Sequence, residues 1–97
     1  MTYEQVHRIM HDAGNRHGAT SAYLEDDKEK FQTHMHFVFE SKEEGIHHVK
    51  VTFTERVIVG QTMNKVAELL DKELSRHTGI TSYGRPDGTY LTDLLYA

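Results

Sequence analysis

The sequence predicts an α+β domain with two layers: an antiparallel sheet of three to four strands and two helices on one face, in the order α-β-β-β-α-tail. Two amphipathic helical patterns, at about 2–16 and 62–77, flank a segment in which apolar and polar residues alternate. A length of 97 residues corresponds to one domain. We expect this domain to span 1–97, with 80–97 as a C-terminal hairpin or tail extension.

The first helix is indicated by its start and by its spacing. Thr2 and Gln5 form a capping-box pattern, in which the hydroxyl accepts from a backbone N–H and the amide side chain reaches back. Apolar residues then recur on one side of the helix, and Gly14 and Gly18 follow as stop signals. These apolar positions are Tyr3, Val6, Ile9, Met10 and Ala13.

Three strands are expected between the helices. The first covers about 19–24 and is broken by the acidic stretch 25–27, and the second and third cover about 31–40 and 49–54 around a turn at 42–45. One face of these strands is apolar and should lie under both helices, leaving a face with His34 and His36 open. The apolar set is Phe31, Met35, Phe37, Phe39, Val49, Val51 and Phe53.

The register of the central hairpin can be predicted, because directly opposite residues share a face of the sheet. Pairing Phe39 with Val49 and Met35 with Phe53 gives apolar cross-strand contacts throughout. The alternative that opposes Phe39 to His47 is less favourable, so we predict the first register.

The structure of the chain after the third strand is predicted from individual cap, stop and turn residues. Residues 57–59 should extend the third strand as a bend or bulge, and Thr62 should cap the second helix. Gly79 and Ile80 suggest a Schellman stop after this helix, and the stretch 85–88 is a turn signal. Whether 91–96 forms a strand or a last helical turn is left open by the pattern.

Composition excludes several functional classes. There are no cysteines, so disulfides and thiolate metal sites are absent, and eleven basic against fifteen acidic residues give a net charge of −4. This charge disfavours binding to nucleic acid, which relies on basic side chains. No apolar run is long enough for a membrane span, and no export signal is visible at the start. We therefore expect a cytoplasmic protein with no membrane partner, in the host cell cytosol if it is phage-encoded.

The order helix, three strands, helix is similar to that of double-stranded RNA-binding domains. The resemblance covers element order over 2–76 and does not extend to a motif. Those domains carry a lysine cluster at the start of the second helix, where this chain has one lysine, Lys65, within 61–65. The resemblance therefore implies no functional residues here.

Histidines are the candidate metal ligands, since the chain contains eight of them. His34 and His36 are two apart on one strand and should project from the same face, with His48 nearby on the next strand. A second pair, His7 and His11, is one turn apart on the first helix, but Arg8 follows the first histidine and would repel a cation. We expect no cofactor, and the alternative is a divalent metal held by His34, His36 and His48.

No catalytic motif is present, so the expected function is a non-enzymatic protein-binding module acting by surface occlusion. Its size and charge are typical of accessory or inhibitor proteins of phage or mobile elements, and we expect a homodimer. The alternatives are metal or small-ligand binding and, second, nucleic-acid binding. Tyrosine and arginine concentrate binding energy at interfaces, so the predicted partner-binding residues combine the open sheet face with the tail: His34, His36, Lys50, Tyr83, Arg85, Tyr90 and Tyr96.

Overall fold

The predicted fold class is confirmed: the chain forms an α+β domain with a sheet and packed helices. A computed structural model describes residues 1–41, 45–77 and 89–96, and the side chains of 1–40, 45–76 and 96. The elements in chain order are α1 (Tyr3–Arg16), β1 (Ser21–Asp27), β2 (Gln32–Ser41), β3 (Gly45–Thr54), α2 (Glu55–Gly60), α3 (Met63–His77) and β4 (Thr89–Tyr96).

Both long helices begin at the caps that the sequence indicates. The backbone N–H of Gln5 donates to Thr2 Oγ1 over 3.2 Å, and the Thr2 N–H donates to Gln5 Oε1 over 2.9 Å, which completes the capping box of α1. Thr62 Oγ1 accepts from the N–H of Lys65 over 3.2 Å at the start of α3. No helix in the described part of the chain has the length and apolar character needed to cross a membrane.

The sheet has four strands in the order β1-β2-β3-β4. The first three strands are antiparallel, whereas β4 runs parallel to β3, so the sheet is mixed rather than wholly antiparallel. The parallel direction follows from the path of the chain, because α3 lies between β3 and β4 and carries the chain back along the sheet. The sequence left open whether 91–96 forms a strand or a helical turn, and the structure shows that it belongs to strand β4. The predicted helix stop at Gly79 and the turn at 85–88 lie outside the described residues.

The predicted register of the β2–β3 hairpin is wrong by two residues. Phe39 lies opposite His47, Phe37 opposite Val49, and Ser41 opposite Gly45. Gly45 has a φ of 82°, a left-handed conformation that glycine adopts without a steric penalty. A left-handed Gly45 opposite Ser41 favours this register, although it has one apolar pair fewer than the predicted one. Both registers have the same parity, so the inward and outward faces are as predicted.

Residues 57–59 do not extend β3, as the sequence suggested, but belong to the short helix α2. Tertiary packing explains the difference, because helical geometry buries Ile58 in the core with 8% exposure while Val59 remains 69% exposed. β-branched residues favour strands only when their surroundings suit a pleated surface.

The core lies between the helices and one face of the sheet. Phe31 was predicted to belong to it, but this side chain is 66% exposed, and its φ of 53° lies in the left-handed region just before β2. Phe39 packs at the margin of the core. Burying each large apolar side chain contributes about 1.5–3 kcal/mol. The core residues are Val6, Ile9, Met10, Ala13, Met35, Phe37, Val49, Val51, Phe53, Ile58, Val66, Leu70 and Leu74.

Polar contacts join the elements around this core. Arg16 at the end of α1 forms an ion pair with Asp71 of α3 at 3.0 Å, and His17 Nε2 lies 2.9 Å from the same oxygen. Tyr96 of β4 stacks on Phe53, with ring centroids 5.3 Å apart, and its hydroxyl donates to Glu73 Oε1 of α3. The last strand is thus tied to both the sheet and the helix layer.

Candidate binding surface on the sheet

Alternation along the strands separates the core from a second face, which we call the imidazole face. The helices pack on the core side, so no helix in the described chain covers the imidazole face. The histidines predicted to point away from the core do so. The face carries Tyr23, Glu25, His34, His36, His48, Lys50 and Thr52, from three neighbouring strands.

His34 and His36 are nevertheless not available for contact, contrary to the expectation that their imidazoles are open. They are 9% and 7% exposed. β2 is an inner strand of the sheet, and the side chains of its neighbours on the same face close over it. Tyr23 of β1 lies parallel to the His36 ring, with the two planes 5° apart.

The buried imidazoles are hydrogen-bonded. His34 Nδ1 lies 2.7 Å from Thr52 Oγ1, and His36 Nδ1 lies 2.9 Å from His48 Nε2. The contact between two ring nitrogens requires one proton between them, so both rings cannot be protonated on those atoms at once. Burial, together with the charge of a protonated His48, lowers the pKa of His36, while Glu25 opposes this. Burial and the nearby Lys50 lower the pKa of His48.

Tyr23 and Glu25 form the exposed part of this cluster. The Tyr23 ring is stacked on His36 with centroids 4.4 Å apart, yet the residue remains 46% exposed. Glu25 Oε1 lies 3.6 Å from His36 Nε2, and the Glu25 side chain is 63% exposed. His36 Nε2 is buried and, within the part of the chain that the structure describes, has no hydrogen-bond partner, although it points toward this carboxylate.

The imidazole face was also considered as a metal site. Among the described residues, no group of three histidine, aspartate or glutamate side chains is arranged to hold a metal ion. His36 and His48 direct two nitrogens at each other, and His34 directs one at a threonine hydroxyl. The metal site at His34, His36 and His48 therefore stays a prediction.

An acidic surface continues from the imidazole face along β1. Asp26 accepts a hydrogen bond from the Thr33 hydroxyl, Asp27 accepts one from the backbone of Lys30, and both donors are neutral groups. A cavity of about 400 Å³ lies at this end of the strand. Its lining combines three acids with one lysine, two polar side chains and an exposed aromatic ring: Asp26, Asp27, Lys28, Phe31, Gln32, Thr33 and Glu55.

The other predicted partner-binding residues divide into three groups. Lys50 lies half-buried on the imidazole face, next to His48. Tyr96 is engaged within the fold by Phe53 and Glu73. Tyr90 pairs with His47 in the β3–β4 register, whereas Tyr83 and Arg85 lie outside the described residues.

Sequence reasoning missed Tyr23 and Glu25 as surface candidates. Their signal was present, because Ala22 and Leu24 are half-buried and alternate with Tyr23 and Glu25. The predicted first strand ended at Leu24, which placed the acidic stretch 25–27 in a loop, whereas β1 continues to Asp27. A period-two pattern that extends through acidic residues is easily mistaken for the end of a strand, since such residues are uncommon there.

The histidine pair should make stability fall in mildly acidic solution. His36 and His48 have lowered pKa values in the folded state, so the unfolded chain binds more protons as the pH falls. Their contribution is fully present above the ordinary histidine pKa near 6.5 and is lost as the pH falls through and below that value. We expect the melting temperature to decrease from pH 7.5 to 5.5, and thermal unfolding followed by circular dichroism measures it.

Two variants test whether the histidine pair causes the fall in melting temperature. His48→Gln should reduce the decrease, whereas His11→Gln, at an exposed position of α1, should leave it unchanged. Asp71, whose pKa is lowered by hydrogen bonds from His17 and Arg16 despite its burial, acts in a more acidic range, below about 4. Equal pH dependence in the His48→Gln variant and the parent protein would assign the decrease to other groups.

Comparison with known proteins finds no protein-family model that matches the chain, no curated protein similar to it and no similar solved structure.

Proposed function

We propose that this chain is a non-enzymatic protein-binding module that binds its partner through the imidazole face, with Tyr23 as the anchor. On this proposal the domain acts by occlusion, covering a surface that the partner needs for its own contacts. Its small size and net charge of −4 fit a cytoplasmic inhibitor or accessory protein of the phage or mobile-element type.

Support comes chiefly from the state of Tyr23. An exposed tyrosine normally loses side-chain freedom on binding, and that entropy opposes association. Here the ring already lies flat on His36, which is itself held by the hydrogen bond with His48. Rigid aromatic side chains that are partly exposed are the residues that dominate interfaces. Tyr23 therefore has the properties of a pre-ordered anchor.

The charge around the anchor indicates the kind of partner. Glu25 is exposed on the same face as Tyr23, Asp26 is exposed on the opposite face of the strand, and Asp27 follows at the end of β1. A partner surface with lysine or arginine side chains would complement these carboxylates and would associate faster at low salt. Acidic side chains on an edge strand also oppose pairing between two copies at this edge, so a homodimer would form elsewhere on the surface.

Replacing Tyr23 by alanine should abolish partner capture while leaving the fold intact. The test uses affinity capture from the native host with the parent protein, Tyr23→Ala and the control Tyr3→Ala. Tyr3 is 64% exposed on α1, away from the imidazole face, so it matches Tyr23 in residue type and exposure. We expect one partner to be retained by the parent and by Tyr3→Ala and to be lost by Tyr23→Ala.

The partner found in this way is then purified and titrated calorimetrically. Tyr23→Ala should weaken its affinity by at least about tenfold, as expected for a central aromatic residue. A partner that binds the Tyr23→Ala variant as tightly as the parent would contradict the proposed surface. Catalysed turnover of that partner would contradict a purely binding role.

A further inference from the structure

We propose that the β1 edge binds a basic, extended segment of a partner protein, with one arginine or lysine seated between Tyr23 and Glu25. This inference rests on the proposed function and specifies the partner's chemistry. The segment would add to the sheet as a fifth strand beside β1. Three independent features support it: the unpaired edge of β1, the arrangement at His36, and the acidic surface with its cavity.

The first feature is the edge. β1 is the first strand of the sheet and pairs with β2 alone in the described chain. One row of its backbone N–H and C=O groups consequently has no strand partner, and an extended segment can satisfy them by strand addition. Such addition is a common mode of peptide recognition, in which the backbone supplies affinity and alternate side chains supply specificity.

The second feature is a buried atom that lacks its partner. His36 is more than nine-tenths buried, and its Nε2 has no hydrogen-bond partner among the described residues, while Glu25 Oε1 lies 3.6 Å away. In the tautomer in which Nδ1 of His36 donates to His48, Nε2 is an acceptor facing an acidic oxygen. A cationic N–H donor bound to the exposed Glu25 carboxylate would satisfy that acceptor and place a positive charge beside the buried Nε2. Binding of such a cation therefore favours this tautomer.

The Tyr23 ring makes the same position suitable for a cation. One side of the ring lies on His36, and the residue is nearly half exposed. Tyr23 and Glu25 are two residues apart on the same face of β1, a spacing of about 6.5–7 Å. A guanidinium can lie against the aromatic ring while it donates to the carboxylate, since the two interactions use different parts of the group.

The third feature lies further along the strand. Asp26 and Asp27 extend the acidic surface to the cavity of about 400 Å³, where Phe31 is 66% exposed. A segment that runs along β1 would reach this cavity with its next side chains. Alternating basic and apolar residues suit this path, because one set meets Glu25 and Asp27 on one face of the strand and the other meets the Phe31 ring.

The test titrates short synthetic peptides into the isotopically labelled full chain and follows backbone amide signals by NMR. The first peptide alternates arginine with valine, the second replaces arginine by glutamate, and the third carries proline at alternate positions, which prevents strand pairing. We expect the arginine peptide alone to bind, with the largest shifts within Ser21–Asp27 and slowed amide exchange in that strand.

Protein variants test the cation position. Glu25→Gln should weaken binding of the arginine peptide about tenfold, and Tyr23→Leu should weaken it several-fold. Glu4→Gln removes one exposed carboxylate from α1 and should leave binding unchanged. In the parent, peptide binding should also shift the His36 side-chain nitrogen signals toward the tautomer with its proton on Nδ1.

Three results would overturn the inference: no shifts in β1 at millimolar peptide, equal binding by Glu25→Gln and Glu4→Gln, or binding of the glutamate or proline peptide as tightly as the arginine peptide. Failure of the peptide test would not decide the proposed function, which the partner-capture experiment tests separately. If Tyr23→Ala still loses a captured partner, the imidazole face binds protein but does not recognise a basic strand.

Discussion

Replacing Phe37 by alanine should lower the free energy of unfolding by about 3–5 kcal/mol. Phe37 is fully buried in the centre of β2, opposite Val49. It also lies directly beneath α1, since a Cβ placed on Gly14 would be 3.5 Å from the Phe37 ring. Removing the ring would leave a cavity between sheet and helix that neither rigid layer can easily fill. Urea unfolding measures the change through the transition midpoint.

Phe31→Ala is the matched control, because it removes the same side chain from the same strand region. Phe31 is 66% exposed, so its loss should change the free energy of unfolding by no more than about 0.5 kcal/mol. Both phenylalanines lie in the alternating apolar pattern of the sequence, but only one fills the core. Similar destabilisation by the two variants would contradict the described packing.

Replacing Tyr96 by phenylalanine should destabilise the fold by about 1.5–3 kcal/mol. Its hydroxyl donates to Glu73 Oε1 over 2.5 Å, and Glu73 is 5% exposed, with its other oxygen, Oε2, buried and without a hydrogen-bond partner in the described part of the chain. The substitution would leave this carboxylate its ion pair with Arg76, which is 3.6 Å away and whose side chain is 64% exposed. Chemical unfolding of Tyr96→Phe beside Tyr3→Phe, an exposed tyrosine, measures the difference. Equal stability of the two variants would contradict the bond.

Alkaline pH tests the same bond without a substitution. Burial, with the hydrogen bond to Glu73, raises the pKa of Tyr96 to about 12. The ordinary tyrosine pKa is about 10, so the stabilisation is present below pH 10 and is lost as the pH rises through 12. Tyr96→Phe should show a smaller loss of stability in that range than the parent protein.

Local signals in the sequence predict the helices and the inward face well. The capping pattern at Thr2 and Gln5 and the cap at Thr62 depend on contacts within one helical turn. The inward set from Met35 to Phe53 depends on alternation, which one face of a pleated strand imposes. These signals require no knowledge of distant residues.

Other features depended on distant contacts and were mispredicted or left open. The hairpin register follows Gly45 in its left-handed conformation rather than the number of apolar pairs. Residues 57–59 form a helical turn because that geometry places Ile58 in the core. The candidate site combines β1, β2 and β3, so Tyr23 meets His36 only after the sheet has assembled.

The fold class, the helix caps and the inward residues of the central strands could all be predicted from the sequence, because each depends on the spacing of residues a few positions apart. The assembled fold was needed to show that His34 and His36 are covered, that β4 runs parallel to β3, and that Tyr23 is held against an imidazole pair. Burial on an inner strand depends on neighbours far apart in the chain. Local periodicity carries no information about those neighbours, and packing alone determines them.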